Sequence, residues 1–145
     1  MAYQRKRPPL DPCPVEHVLA MVSGKWKVRV LYLLALNDLG FAELRRAIGG
    51  VKQQVLSGLL RQFEADGLVL RARRDPQAGS CYGLTAKGRE LVGLLVPVAA
   101  WGNRLLAARG QAWAEPLPPL PATVRGCAAA MAPRSIRADA SRQPD

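Results

Sequence analysis

The chain has 145 residues, with 21 Lys and Arg against 11 Asp and Glu and a formal charge of +10 when its single His17 is neutral. That is one domain's worth of protein, and 49% apolar residues with 13 Gly and 12 Pro exclude a collagen-like repeat and a wholly disordered chain. The basic excess points to a polyanionic partner.

Residues 1–12 read as a basic arm, in which Arg5, Lys6 and Arg7 precede Pro8 and Pro9 where a signal peptide needs an apolar run, so a cytoplasmic protein is expected. Val15, Val18, Leu19 and Val22 then recur at helical spacing after Pro14, whose fixed φ suits a first turn, and Gly24 closes this first helix. Trp26 to Leu36 is apolar around nearly its whole circumference, which predicts a second helix at the domain centre. Phe41, Leu44 and Ile48 predict a short third helix ended by Gly49 and Gly50, and a fourth runs from about Lys52 to Asp66 before Gly67. Two helices joined by a short glycine-containing turn make a helix-turn-helix.

Beyond Gly67 the period changes from helical to alternating. Leu68, Val69, Leu70 and Ala72 predict one strand, Cys81, Tyr82 and Leu84 another, and the turn formers Asp75, Pro76 and Gly79 lie between them. Thr85 is placed to cap a last helix carrying Leu91, Leu94, Leu95, Val98, Trp101 and Leu105, with Pro97 expected to bend or interrupt it. The apolar stretch from Leu91 to Gly102 falls short of the roughly 20 residues that span a bilayer, so neither a transmembrane helix nor a membrane partner is expected. From Gln111 onward, 15 of 35 residues are Ala or Pro with no apolar periodicity, which predicts a disordered tail. The predicted fold is mainly α with a small β-hairpin: a winged helix-turn-helix over 13–110 with a C-terminal dimerisation helix, flanked by the 1–12 arm and the 111–145 tail. Residues 13–110 hold 14 basic and 7 acidic residues, so most of the charge belongs to the folded part.

Cys13, Cys81 and Cys127 are odd in number and widely spaced, which argues against a disulfide framework and a structural zinc site and favours free thiols. One His, no H-x-x-H spacing, no phosphate-cradling glycine loop and no nucleophile elbow leave no expectation of an enzyme, a metal or a cofactor.

On the fourth helix, about 100° per residue places Val55, Leu56, Leu59, Leu60 and Phe63 on one arc as the core stripe. The opposite arc carries Gln54, Ser57, Gly58 and Arg61, with Gln53 at its edge: amide, hydroxyl and guanidinium groups without a carboxylate, suited to base edges and phosphates. Lys52 and the first-turn amides add positive potential. Arg45 and Arg46 on the preceding helix suit backbone contacts, as do Arg71, Arg73 and Arg74 on the hairpin, although charged pairs of this kind also occur simply as solvated faces. Between Leu91 and Ala108, 13 of 18 residues are apolar, more than one side of a small domain buries, which predicts a two-fold dimer through Val18, Leu19, Leu95, Val98, Trp101 and Leu105. Two copies predict a pseudo-palindromic operator in double-stranded DNA.

The chain resembles the HxlR-type winged helix-turn-helix transcriptional regulators. The resemblance rests on Cys13-Pro14-Val15-Glu16, Gly24-Lys25-Trp26, Phe41-Ala42-Glu43-Leu44-Arg45-Arg46, Val55-Leu56-Ser57 with Leu59-Leu60-Arg61, Glu64 to Val69, Tyr82-Gly83-Leu84-Thr85 with Gly88, and Trp101-Gly102. It implies a homodimeric DNA-binding regulator, commonly a repressor that releases DNA on a small-molecule or oxidant signal. It also implies a sensor role for Cys13, whose place at a helix start near three basic residues favours reactivity; a small packing residue at the dimer interface is the alternative. Where relatives usually open the recognition helix with Ser-Pro, this chain has Lys52-Gln53, losing a cap of about 1 kcal/mol and gaining a phosphate partner. Gly79 stands where relatives carry a basic wing residue, which shifts that contact to Arg73, Arg74 or Gln77. The competing function is a winged-helix module that binds protein or RNA without duplex specificity.

Overall fold

A computed structural model describes residues 13–73 and 79–111. The predicted arm 1–12, Arg74, Gln77, Cys127 and the tail from residue 112 lie outside the described residues. The elements are α1 (Pro14–Val22), α2 (Lys27–Leu36), β1 (Leu39–Gly40), α3 (Phe41–Ile48), α4 (Gln53–Ala65), β2 (Val69–Arg73), β3 (Ser80–Leu84) and α5 (Ala86–Ala108). This is a winged helix-turn-helix with a long C-terminal helix, as the order of elements predicts.

The core gathers around α2. Val30, Leu31 and Leu34 are fully enclosed with Leu44 of α3 and Leu56, Leu60 and Phe63 of α4, and Leu68, Val69 and Leu84 close it from the sheet side. The burial is less complete around α2 than its composition predicts, since Val28 and Arg29 face outward. The outward position of Arg29 is what lets a charge stand there.

The predicted hairpin is the larger part of a three-stranded antiparallel sheet ordered β1-β3-β2. Leu39 and Gly40 pair with Tyr82 and Cys81, a two-residue edge strand too short to leave a periodic signal. Its end is fixed by Glu43, whose Oε2 accepts from the Gly40 amide at 2.7 Å and so ties β1 to the first turn of α3. β2 and β3 pair from Val69 opposite Leu84 to Arg73 opposite Ser80.

Two glycines are structurally required at the turn between α3 and α4. Gly49 and Gly50 have φ of 67° and 71°, the left-handed region where a Cβ is penalised, and this reversal aims the start of α4 outward.

Helix α5 departs from expectation in one respect: Pro97 does not interrupt it, and the helix runs unbroken for 23 residues. A proline removes its own amide and crowds the carbonyl four residues back, here that of Gly93. Both residues are exposed, so that carbonyl keeps access to water and the helix continues. By length and composition alone α5 is long and apolar enough to cross a membrane, longer than the Leu91 to Gly102 stretch on which the expectation of no transmembrane helix rests. Its first turns are nevertheless built into the domain core through Gly88, Leu91 and Val92.

The two described cysteines are not alike. Cys13 is a free, exposed thiol, whereas Cys81 is fully buried on β3 and disulfide-bonded. The expectation of three free thiols is corrected at Cys81, because bridging needs proximity in space and wide sequence spacing does not prevent it.

Candidate nucleic-acid interface

Helix α4 is held by Leu56, Leu60 and Phe63, which lie within about 60° of arc and leave the rest of its circumference outside. Lys52 stands at the N-cap with extended backbone and no side-chain cap bond, as expected of a chain lacking a Ser there. Lys52, Gln53, Gln54, Gly58 and Arg61 are exposed and Ser57 is half-buried. Five of these residues, Gln53, Gln54, Ser57, Gly58 and Arg61, line one shallow depression on the outer face. The nearest carboxylate on the helix itself is Glu64, in its last turn.

A second, larger cleft adjoins the start of α4. It is lined by Phe41, Ala42, Arg45, Arg46, Gly49, Gly50, Val51, Lys52 and Gln53, again with no acidic residue. Arg45 reaches across the turn to the Val51 carbonyl and Arg46 back to the Ala42 carbonyl, each through Nε at a long 3.4 Å. These contacts aim both side chains without consuming the rest of either guanidinium. Together with Lys52 and the free amides of the first turn of α4 they form a strongly anion-attracting edge.

On the wing, Arg71 Nε donates to Ser80 Oγ at 2.9 Å and its guanidinium lies 5.9 Å from the Tyr82 ring centre. Arg71 therefore braces the two strands against each other as well as adding charge. Arg73 is fixed in register opposite Ser80, at the outer end of the described wing. On the same strand Leu70 is exposed, while Ala72 is buried.

Val55 departs from the predicted core stripe: it is 44% exposed, because its place at the N-terminal edge of the stripe extends beyond the elements packed on α4. The apolar face of α5 is also rotated from the expected one. Leu95, expected at the dimer interface, is half-buried and packs partly against its own core. Leu94, one position away, is 62% exposed, and Val98, Trp101 and Leu105 are exposed as well. Val18 and Leu19 of α1 are exposed too, with Val15.

Residues 21–109 match the HxlR-like helix-turn-helix family. The chain belongs to that family. A relative in Halalkalibacterium halodurans, the uncharacterized HTH-type transcriptional regulator BH0655, is 37% identical over 103 residues, covering 69% of this chain and 90% of that protein. Among solved structures, the redox regulator HypR in its reduced form is similar with a TM-score of 0.61 and 33% identity, over 67% of this chain and 99% of HypR. A MarR-family transcriptional regulator from Enterococcus faecalis V583 is similar with a TM-score of 0.61 and 31% identity, over 66% of this chain and 88% of that one. The protein is thus an HTH-type, DNA-binding transcriptional regulator, in which α3 and α4 form the helix-turn-helix and the β2–β3 hairpin forms the wing.

Proposed function

We propose that this HxlR-like regulator binds duplex DNA sequence-specifically as a two-fold homodimer and represses transcription until a chemical or oxidant signal releases it. One observation carries the DNA reading: the depression on α4 and the adjoining cleft are lined by Arg45, Arg46, Lys52, Gln53, Gln54, Ser57 and Arg61 with no carboxylate among their walls. Gln54, Ser57 and Arg61 read base edges in the major groove, Arg45, Arg46 and Lys52 hold phosphates, and Arg73 with Arg74 reaches the flanking backbone or minor groove.

The dimer is supported by the spacing of the exposed apolar residues on α5. Leu94, Val98, Trp101 and Leu105 follow one another at intervals of four, three and four, the seam that lets two helices pack along their length. Val15, Val18 and Leu19 on α1 extend the apolar surface. A second copy seated there buries both seams and leaves no membrane partner required.

For the signal, the reading turns on Cys13. It is a free, exposed thiol at the N-cap of α1, two residues from the apolar Val15. The similarity to HypR, a redox regulator, supports the same reading. Modification of Cys13 Sγ alters the surface where α1 meets the second copy and so changes the separation of the two α4 helices.

The test of the DNA reading is substitution on α4. Arg61→Ala or Gln54→Ala lowers specific affinity by about 1–3 kcal/mol with the oligomer intact, as loss of a base-edge contact requires. Lys52→Ala weakens binding to all sequences alike and reduces the salt slope by about one. Equal losses for every sequence at Gln54 and Arg61 would instead mark α4 as a nonspecific polycation.

A further inference from the structure

We propose that Gly58 is the point of closest approach between α4 and the duplex, its missing side chain letting a base edge settle into the depression between Gln54 and Arg61. This rests on the reading of α4 as the DNA-recognition helix.

Gly58 lies in the interior of a 13-residue helix and is exposed. Among interior helix residues only proline is less favourable than glycine, so its presence calls for a reason. Among the described residues there is none: a Cβ at Gly58 would meet no atom of theirs within 4 Å, in contrast to Gly88, where it would strike the Leu68 carbonyl oxygen. The reason therefore lies outside the described fold.

Its neighbours say what approaches. Gln54 lies one turn before Gly58 and Arg61 three residues after it, so both flank it on one face, and the three residues share the same depression with Gln53 and Ser57. A carboxamide and a guanidinium are the groups that pair in bidentate fashion with adenine and guanine edges. Phosphates are served separately, by the cleft that Arg45, Arg46 and Lys52 line at the helix start. A side chain at position 58 would stand between those two reading groups and hold the helix away from the bases. Gly93 and Gly102, the other interior helix glycines without an internal neighbour, lie on α5, which is assigned here to the second copy.

The experiment is Gly58→Ala in the full chain, with two readouts that move in opposite directions. Alanine is the better helix former, so the melting temperature rises by about 4–8 °C for a domain of this size. Affinity for a duplex selected by the unmodified protein from a random-sequence library falls about tenfold or more, the scale of a lost base contact. Binding to an unrelated duplex of the same length stays unchanged. A higher melting temperature with undiminished specific affinity overturns the proposal, and so does a lower melting temperature, which would show that position 58 is crowded from within. Arg61→Ala is the companion: if it lowers specific affinity and Gly58→Ala does not, the DNA reading of α4 stands and the role of Gly58 fails. If the unmodified protein selects no sequence, the reading beneath the proposal has failed and the proposal with it.

Discussion

The Thr85 hydroxyl donates to the Gly67 carbonyl oxygen at 2.7 Å and accepts from the Gly88 amide at 3.0 Å, so one side chain joins the loop that closes α4 to the first turn of α5. The Thr85 amide adds a bond to the Leu68 carbonyl at 3.0 Å, and Lys87 Nζ donates to the Asp66 carbonyl at 2.9 Å. Helix α4 is thereby coupled to α5 through backbone groups of residues 66–68. Thr85→Ala is expected to lower unfolding free energy by about 1–2 kcal/mol, the usual worth of a helix cap with a further bond, whereas Thr85→Ser retains most of it. Urea denaturation of the three proteins checks this.

Gly88 tests the same joint sterically. The Leu68 carbonyl lies where a Cβ would have to go, and Leu84 closes the site from the other side, so α5 or the base of the wing must move to admit any side chain. Gly88→Ala is expected to cost about 1–3 kcal/mol, despite alanine's better helix propensity. A melting temperature equal to that of the unmodified protein would show that α5 is not seated on Leu68.

Most of the architecture is legible in the chain, and the departures have local causes. The apolar period that switches after Gly67, the Gly49-Gly50 turn and the Thr85 cap set the order of elements. β1 went unseen because two residues carry no period. Leu95 is half-buried while Leu94 is exposed, because neighbours on a helix differ by about 100° and composition alone does not say which arc the rest of the domain covers. Val55 fits the apolar stripe by angle and lies exposed because packing ends before the first turn of α4. At the interface, charge and the missing carboxylates were readable directly, whereas the bracing of Arg71 against Ser80 and Tyr82 depends on strand register. Gly58 gave no signal without the geometry, since a glycine on a helix is informative only once its surroundings are known to be open.

The exposed seam on α5 predicts where the proposed dimer breaks. Val98→Asp places a charge among Leu94, Trp101 and Leu105 and is expected to give monomer at concentrations where the unmodified protein is a dimer. Trp101→Ala, removing the largest apolar group of the seam, should weaken association by about 2 kcal/mol or more. Sedimentation equilibrium reads both. An unmodified protein that sediments as a monomer at micromolar concentration would remove the basis of the seam.

Cys13 predicts the response to signal. Treatment with a thiol oxidant or an electrophilic quinone is expected to release the protein from its DNA site, and Cys13→Ser to bind normally and resist release. Cys81 is already engaged in a disulfide and buried, so Cys13→Ser alone should suffice. Identical binding by treated, untreated and Cys13→Ser protein would return Cys13 to a packing role.

The most direct test of the whole account is selection of bound fragments from a random-sequence duplex library by the full-length protein, followed by mapping of the protected bases. The account predicts enrichment of a pseudo-palindrome whose half-sites are centred one helical turn apart, about 34–36 Å, or a multiple of it, with protection in the major groove of each half. Enrichment of no sequence, or of a single unpaired site protected by one copy, would contradict it.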